Sequence, residues 1–173
     1  MTDKIAILAT DVDGTLTDGG MFCSSSGETM KRFHVRDGLG VRLLQAIDIQ
    51  VAFISSDSSP VIANRARHLG VDYCFSGVKD KVGALRSLCD EIGVGFSQSA
   101  FLGDDLQDLE VMQCVGLAAA VGDAHPAIKQ ACNYLCESHG GFGAFREFAE
   151  VLIGKCGLSV LDAFRRSQEM DRQ

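Results

Sequence analysis

The sequence lacks the long apolar run of a membrane-spanning helix, since no stretch approaches the roughly 20 residues required. Its first residues do not resemble a secretory signal, because Lys4 precedes only a brief apolar segment and then acidic residues. Positive charge is also scarce, with 16 Lys and Arg against 23 Asp and Glu and a net charge of −7. We therefore expect no nucleic-acid-binding face and no membrane partner. An anionic substrate remains compatible with this charge, because one metal ion or a few cations can reverse the field in a cleft.

Metal-binding cysteine patterns are missing as well. The seven cysteines include no CxxC pair and no spacing typical of a zinc site. An odd number of cysteines without a secretory signal favours a reducing compartment, so we expect a cytoplasmic protein. Repeats, linkers and low-complexity segments are absent. The length of 173 residues, 46% of them hydrophobic, predicts a single domain, residues 1–173, with a substantial core.

Short apolar segments alternate with helical segments along the whole chain. Strands are predicted at residues 4–10, 51–54, 71–75, 100–102, 115–121 and 131–136. Between them, helical patterns begin at suitable N-cap residues, namely Asp37, Ser59 and Asp80. An amphipathic helix is predicted over residues 143–156, and the C-terminal tail, residues 158–173, is expected to add another. This alternation predicts an α/β fold with three Rossmann-like layers around a parallel sheet.

One segment interrupts the alternation after the first strand. Residues 19–33 contain two apolar stretches around a Ser- and Gly-rich turn, which predicts a β-hairpin insert. Isolated hairpins are only marginally stable in water, and this one has few apolar residues to bury. We therefore expect the hairpin to pack against another surface, such as a second subunit.

The first predicted strand ends in the sequence DVDGT, residues 11–15. Residues two apart on a strand face the same way, so Asp11 and Asp13 should emerge together where Gly14 allows a sharp turn. Two neighbouring carboxylates repel each other unless a cation lies between them or one is protonated. A plainer alternative is an acidic turn in which Asp13 or Thr15 caps a helix.

Other polar residues follow the later predicted strands. Ser55 follows the second strand, Lys81 opens the helix after the third, and Asp104 and Asp105 follow the fourth. In parallel α/β folds the active site lies outside the carboxyl ends of the strands, so these side chains should converge there. Carboxylates, a hydroxyl group and a lysine suit phosphoryl transfer with Mg²⁺, which prefers hard oxygen ligands.

These motifs, in this order, resemble the haloacid dehalogenase superfamily of aspartate-nucleophile phosphatases. The matching elements are DVDGT at 11–15, Ser55, Lys81 and GDDLQD at 103–108. The resemblance implies that Asp11 is the nucleophile and forms an aspartyl-phosphate, while Asp13 is the general acid and base. It further implies that Ser55 and Lys81 bind the phosphoryl group. The implied ligands of Mg²⁺ are Asp11, Asp104 and the backbone carbonyl of Asp13, with Asp108 orienting the metal shell or Lys81.

The resemblance is narrower at two further segments, residues 33–44 (FHVRDGLGVRLL) and 140–147 (GGFGAFRE). Together with the short insert and the lack of room for a cap domain, they resemble the capless phosphatases of 3-deoxy-D-manno-octulosonate 8-phosphate and related nine-carbon sugar acids. Such a relationship implies a cytoplasmic homotetramer that acts in lipopolysaccharide biosynthesis and whose subunits cover one another's active sites. It also implies substrate contacts at seven positions. These are His34, Val35, Arg36, Asp37, Gly38, Arg42 and Arg65.

Several alternatives remain open at the level of sequence. The octulosonate enzymes usually have arginine at the positions of Asp57 and Phe142, and an acid at position 57 resembles the nine-carbon enzymes more closely. The arginines assigned to substrate could equally be solvated surface charges. A receiver domain also uses an Asp acceptor, but it would place the acceptor after the third strand. A third alternative is a regulatory domain like those of sugar-acid cytidylyltransferases, although the intact acidic residues argue against it.

Overall fold

The computed structural model of the protein describes residues 4–25, 27–170 and 172. The strands are β1 (Ile7–Thr10), β2 (Thr17–Ser24), β3 (Gly27–Phe33), β4 (Gln50–Ile54), β5 (Tyr73–Phe75), β6 (Ser99–Gly103), β7 (Leu117–Ala120) and β8 (Tyr134–Leu135). The helices are α1 (Val35–Gln45), α2 (Pro60–His68), α3 (Lys81–Ile92), α4 (Leu109–Cys114), α5 (Pro126–Ala131), α6 (Ala144–Lys155) and α7 (Val160–Met170). In the described part of the chain no helix is long and apolar enough to cross a bilayer.

Six strands form one parallel sheet in the order β5-β4-β1-β6-β7-β8. The first strand is central, and Ile7 lies beside Gln50 on one side and Ser99 on the other. Six of the seven described helices form two packed groups, one of α1, α6 and α7 and one of α3, α4 and α5, while α2 packs against β5. The predicted α/β fold with a parallel central sheet is thereby confirmed, although most strands are shorter than predicted.

The central strand β1 is buried on both of its faces. All four residues of β1 are buried, as expected for a strand with layers on both sides. The largest fully buried side chains include Phe53, Phe101, Phe145 and Phe148. Burying one such side chain contributes about 1.5–3 kcal/mol, so the sheet edge that carries the polar residues rests on a firmly packed base.

The predicted hairpin is present, and it is longer than expected. Strands β2 and β3 form a separate antiparallel pair in which Thr17 lies opposite Phe33 and Met21 opposite Lys31. Its apolar side chains remain in contact with solvent in the single chain, with exposures of 56% for Met21 and 59% for Met30. The hairpin therefore carries apolar surface that the rest of its own chain does not cover.

The predicted cap at Asp37 was wrong. Helix α1 begins at Val35 with His34 as its N-cap, and Asp37 lies inside the first turn. The Asp37 carboxylate instead accepts a hydrogen bond of 2.9 Å from the backbone N–H of Arg146. Helix α6 begins after Gly143, which has no side chain to cap it. Asp37 thus caps α6 from a distant part of the sequence, which no local rule can foresee.

The other predicted caps are confirmed. Ser59 accepts a hydrogen bond from the backbone N–H of Val61, and Asp80 accepts one from that of Gly83. The C-terminal tail adds α7, which packs against α1 and α6. The packing of α7 thus holds α1 and α6 together on one side of the sheet.

Candidate active site

A cleft of about 370 Å³ opens at the carboxyl ends of β1, β4 and β6. Its lining is mostly acidic and includes Lys81 and, from the hairpin, Met21. The lining residues are Asp11, Asp13, Met21, Ser55, Ser56, Asp57, Lys81, Asp104, Asp105, Gln107 and Asp108. The structure therefore brings together the polar residues that follow separate strands in the sequence.

The turn after β1 requires glycine at position 14. Gly14 has a φ of 87°, in the left-handed region. A Cβ atom there would lie 2.2 Å from an oxygen of Asp104, so the turn packs directly on that carboxylate. Thr15 donates a hydrogen bond of 2.9 Å to the other oxygen of Asp104. The hydroxyl group of Thr15 thus fixes Asp104 rather than capping a helix.

Lys81 lies between two buried carboxylates. Its side chain is 4% exposed, and its Nζ donates to Asp11 at 2.5 Å and to Asp108 at 2.6 Å. The second oxygen of Asp108 accepts hydrogen bonds from the backbone N–H groups of Asp104 and Asp105. Asp108 therefore orients Lys81 and also holds the loop that carries Asp104.

Burial and crowding perturb the carboxylates of the cleft. Burial, followed by the charge of Asp108, raises the pKa of Asp11 to about 8, although Lys81 opposes the shift. Burial likewise raises the pKa of Asp104 to about 6, against the hydrogen bond from Thr15. Burial acts to lower the pKa of Lys81, but the charges of Asp11 and Asp108 raise it above its ordinary value. The cleft thus holds more negative charge than its own lysine offsets.

The donor set of the cleft fits a divalent cation. Carboxylate oxygens of Asp11, Asp104 and Asp108 all lie within 4.8 Å of one another. All three are hard oxygen donors, which suit Mg²⁺ better than a thiophilic metal. The pKa values of Asp11 and Asp104 are raised because burial and neighbouring carboxylates disfavour their ionised forms. A bound cation would stabilise those ionised forms. The side chain of Asp13 is not in this group and faces the hairpin instead.

Ser55 is prepared to donate a hydrogen bond into the cleft. Its side chain is buried, and its Oγ accepts a hydrogen bond of 3.1 Å from the backbone N–H of Asp57. A hydroxyl group that accepts one hydrogen bond still has its own proton to donate. Ser55 can therefore donate to an anionic oxygen next to Lys81.

Lys31 was missed by the sequence analysis. It lies on β3, and its ammonium group forms ion pairs with Asp13 and, at 2.7 Å, with Asp57. Its side chain is only 1% exposed. The alternation of side chains along β3 shows that Lys31 and Arg32 face opposite ways. It does not show which of the two faces the cleft, because that depends on how the hairpin packs against the cleft.

The seven residues that were predicted to contact substrate lie outside the cleft lining. His34, Asp37, Gly38 and Arg65 line a separate pocket of about 10 Å³, beside the ring of Phe33. Among the residues described by the structure, this pocket leaves three buried polar atoms without a hydrogen-bond partner. They are Nδ1 of His34, Oδ2 of Asp37 and Nε of Arg65.

The remaining predicted contacts lie on the surface of α1. Val35 is 85% exposed and Arg36 is also exposed. Arg42 lines a third depression, with Gln45, His68 and residues of α7. Within one chain, then, the predicted substrate contacts do not gather at a single point, and their role stays a prediction.

The loop at residues 140–143 supports the cleft from below. A Cβ atom at Gly140 would lie 1.7 Å from the carbonyl oxygen of Gly14, so only glycine allows this approach. Arg32 on the hairpin donates a hydrogen bond of 3.0 Å to the carbonyl of Gly141 and lies 4.3 Å from the ring centre of Phe142. The loop thus joins the hairpin to the turn that carries Asp11 and Asp13.

Comparison with known proteins agrees with this geometry. Residues 68–144 match the family model of the haloacid dehalogenase-like hydrolases. The chain is 41% identical over 157 residues to the 3-deoxy-D-manno-octulosonate 8-phosphate phosphatase KdsC of Haemophilus influenzae. That alignment covers 91% of this chain and 87% of the relative.

Two solved structures are similar over most of their length. The cobalt-bound deoxy-D-mannose-octulosonate 8-phosphate phosphatase of Haemophilus influenzae matches with a TM-score of 0.87 and 41% identity, covering 89% of this chain and 90% of that one. The octulosonate phosphatase of Moraxella catarrhalis, in complex with a magnesium ion, a phosphate ion and a KDO molecule, matches with a TM-score of 0.84 and 36% identity, covering 87% of both chains. The predicted superfamily is confirmed: the chain belongs to the KdsC family of phosphatases within the haloacid dehalogenase-like hydrolases.

Proposed function

We propose that the protein is a Mg²⁺-dependent phosphatase of 3-deoxy-D-manno-octulosonate 8-phosphate that works through an aspartyl-phosphate. One observation carries the proposal: Asp11 directly follows the central strand β1 and lies in an acidic cleft, in contact with Lys81. The octulosonate 8-phosphate follows from the relatives, one of which is in complex with magnesium, phosphate and KDO.

In the first half-reaction, a carboxylate oxygen of Asp11 attacks phosphorus and the bond to the sugar oxygen breaks. Asp13, two residues further along the turn, gives its proton to that leaving oxygen. Lys81 and Ser55 hold the phosphoryl oxygens, and Asp108 keeps Lys81 in place. The products are the free sugar acid and an aspartyl-phosphate at Asp11.

In the second half-reaction, Asp13 accepts a proton from a water molecule as that water attacks the phosphorus. The bond between phosphorus and the Asp11 oxygen breaks, and inorganic phosphate and the free carboxylate are restored. The same carboxyl group serves both steps because it gives its proton in the first and regains one in the second.

Asp11, Asp104 and the backbone carbonyl of Asp13 would hold Mg²⁺, and the position of Asp108 beside the first two suits a supporting role. When bound, the cation neutralises charge on the transferring phosphoryl group. This assignment follows from the oxygen donors gathered at the cleft and from the excess of negative charge there.

The cleft also favours a second candidate substrate. Asp57 lines the cleft where the octulosonate enzymes usually have arginine, and its charge is shared with Lys31. A negative group at this point suits hydroxyl groups of a larger sugar better than a carboxylate. The alternative substrate is therefore a nine-carbon sugar-acid 9-phosphate.

A panel of phosphate esters separates these functions. We expect turnover of octulosonate 8-phosphate to exceed that of a nine-carbon 9-phosphate by at least about tenfold in kcat/KM, a difference of roughly 1.4 kcal/mol. The reverse order would identify a nine-carbon enzyme. A protein that hydrolysed neither ester, nor a simple aryl phosphate, would instead be a regulatory domain.

The assembly that we propose is a cytoplasmic homotetramer whose hairpin covers a neighbouring subunit. The support is the apolar surface of the hairpin, where Met21, Phe22 and Met30 are each more than half exposed. A capless enzyme needs such a cover to exclude water and to reach the distant part of its substrate. The seven predicted substrate contacts on and around α1 would then complete a site between subunits.

Deletion of residues 22–30 tests this assembly. We expect light scattering to show smaller species, with a greater loss of turnover for the sugar-acid phosphate than for a small aryl phosphate. A fully active monomer of the intact protein would contradict it.

A further inference from the structure

A hairpin residue reaches the chemistry of the cleft within its own chain. Lys31 lies opposite Met21 in the hairpin register, and its side chain is almost fully buried against the cleft. Its ammonium group contacts the carboxylate of Asp13 and lies 2.7 Å from that of Asp57. The general acid proposed for the reaction is thus held by a side chain of the hairpin, outside the central sheet.

Asp57 is a rigid anchor for this ammonium group. One of its carboxylate oxygens accepts a hydrogen bond of 3.0 Å from the backbone N–H of Ser59, at the start of α2. Its own backbone N–H donates to the hydroxyl oxygen of Ser55. An ammonium group paired with Asp57 is therefore fixed relative to the loop that binds the phosphoryl group.

Asp13 has no comparable rigidity of its own. Its side chain is about as exposed as that of Asp57, at 31% against 33%, but it projects from a tight turn, and the ammonium group of Lys31 donates a hydrogen bond to it. Proton transfer requires its oxygen within hydrogen-bond reach of the leaving oxygen, and misplacement by about 1 Å can cost about 100-fold in rate. A carboxylate at such a place requires a partner that selects one orientation.

We propose that Lys31 is a positioning residue that orients Asp13 for proton transfer, with Asp57 as the fixed point that holds its ammonium group. This inference rests on the proposed aspartyl-phosphate mechanism and adds a role for the hairpin in each chain's own active site. The chain of contacts runs from Asp13 through Lys31 to Asp57 and then to Ser55.

The neighbouring residue on the strand supplies a matched control. Successive side chains on a strand face opposite ways, and Arg32 points away from the cleft to pair with Asp18 and the carbonyl of Gly141. Both Lys31→Met and Arg32→Gln remove one cation from β3, but only the first removes a partner of Asp13.

The test compares an alkyl phosphate with an aryl phosphate that has a good leaving group. Because kcat/KM covers only the steps up to departure of the leaving group, it depends on Asp13 only when that group needs a proton. We expect Lys31→Met to lower kcat/KM at least about tenfold for the alkyl ester and less than about threefold for the aryl ester. Arg32→Gln should change both alike, and Lys31→Arg should restore part of the alkyl activity.

Equal losses for both esters would overturn the inference, because they would mean that Lys31 binds the phosphoryl group instead. Unchanged kcat/KM for the alkyl ester would overturn it too. If Lys31→Met does not fold, as judged by circular dichroism, Asp57→Asn carries the test, since it removes the anchor and leaves the hairpin intact. It should give the same selective loss. Neither ester is the natural substrate, so a wrong assignment of the sugar acid would not affect this result.

Discussion

The cleft at the strand ends and the small pocket beside α1 both bury charged groups, but they treat them differently. In the cleft, Lys81 pairs directly with Asp11 and Asp108. In the pocket, an oxygen of Asp37 and a nitrogen of Arg65 have no hydrogen-bond partner in the part of the chain that the structure describes. The two regions also differ in size, at about 370 Å³ and 10 Å³.

The comparison of the cleft with the pocket shows that burial of a carboxylate does not by itself make a reactive site. Burial raises the pKa of Asp11 to about 8 and of Asp37 to about 6, so a shifted carboxylate occurs in both places. Only the cleft combines the shift with a paired lysine, neighbouring oxygen donors and room for a phosphate ester. Asp37, in contrast, accepts a hydrogen bond from the backbone N–H of Arg146 and so joins α1 to α6.

The largest expected effect on activity comes from replacing the proposed nucleophile of the cleft, Asp11. Asp11→Asn should lower turnover at least about 1,000-fold, since an amide oxygen cannot form the aspartyl-phosphate. The fold should persist, because the substitution removes a carboxylate whose ionised form is disfavoured by burial. Steady-state rates and thermal unfolding measure the two effects. Asp90→Asn, at an exposed position on α3, is the control. Undiminished activity of Asp11→Asn would end the proposed mechanism.

A smaller effect is expected where the loop 140–143 supports the cleft. Gly140→Ala places a Cβ atom 1.7 Å from the carbonyl oxygen of Gly14. We expect a loss of about 1–3 kcal/mol in the free energy of unfolding, and a fall in activity as the turn shifts. Urea unfolding measures the first and steady-state kinetics the second.

Gly154→Ala serves as the control for the same chemical change. It lies in α6, where a Cβ atom meets nothing within 4 Å. Replacement should raise stability by up to about 1 kcal/mol, since alanine favours a helix more than glycine does. Similar results for Gly140→Ala and Gly154→Ala would show that the contact with Gly14 does not constrain the turn.

Metal addition sharpens the comparison, because only the cleft should respond to it. At a Mg²⁺ concentration of about 100 times Kd, binding stabilises the folded state by about 2.7 kcal/mol. The melting temperature should rise by several degrees, as each kcal/mol is worth roughly 2–4 °C at this size. Thermal unfolding with Mg²⁺ or EDTA tests this, and Asp104→Asn should abolish most of the rise. An unchanged melting temperature of the native protein would argue against a metal site.

The smallest effect concerns the pocket. The pKa of Asp37 is raised by burial from 3.8 to about 6, so the folded state binds this proton more tightly than the unfolded chain. Its stabilising contribution is therefore present below about pH 4 and is lost as the pH rises through about 6. Asp37→Asn keeps an oxygen for the Arg146 N–H and cannot ionise.

The stability of Asp37→Asn relative to the native protein should therefore increase by about 1–3 kcal/mol between pH 4 and pH 7. Urea unfolding at several pH values measures this difference. Asp37→Ala is the matched control, because it also removes the charge but leaves the N-terminus of α6 without its cap. A difference that stayed constant with pH would place the titration elsewhere.

Sequence patterns predicted the sheet and most of the cleft because these depend on local rules. An apolar strand followed by DVDGT gives the position of Asp11 and Asp13, and parallel topology brings Ser55, Lys81 and Asp104 to the same edge. Strand order and the identity of the central strand are nonlocal, but they follow once the family is recognised.

The wrong cap at Asp37 and the missed Lys31 have one cause, which is contact between residues far apart in the chain. Asp37 satisfied every local requirement of a cap for α1, yet its partner is the backbone of Arg146. Lys31 lies in a segment with no catalytic motif, and only the docking of the hairpin brings it to Asp13 and Asp57. Local propensity contains no information on either contact.

The central place of β1 has a consequence for the enzyme while it is being synthesised. The turn with Asp11 and Asp13 leaves the ribosome early, but β4 and β6, between which β1 is inserted, follow much later. Synthesis runs at about 5–20 residues per second, N-terminus first, so for several seconds the acidic turn has neither Lys81 nor Asp108 beside it. A nascent chain that stops before residue 81 carries the nucleophile without Lys81 and without Asp108, which holds that lysine. A chain released at that stage should therefore be unable to form the aspartyl-phosphate by the proposed mechanism.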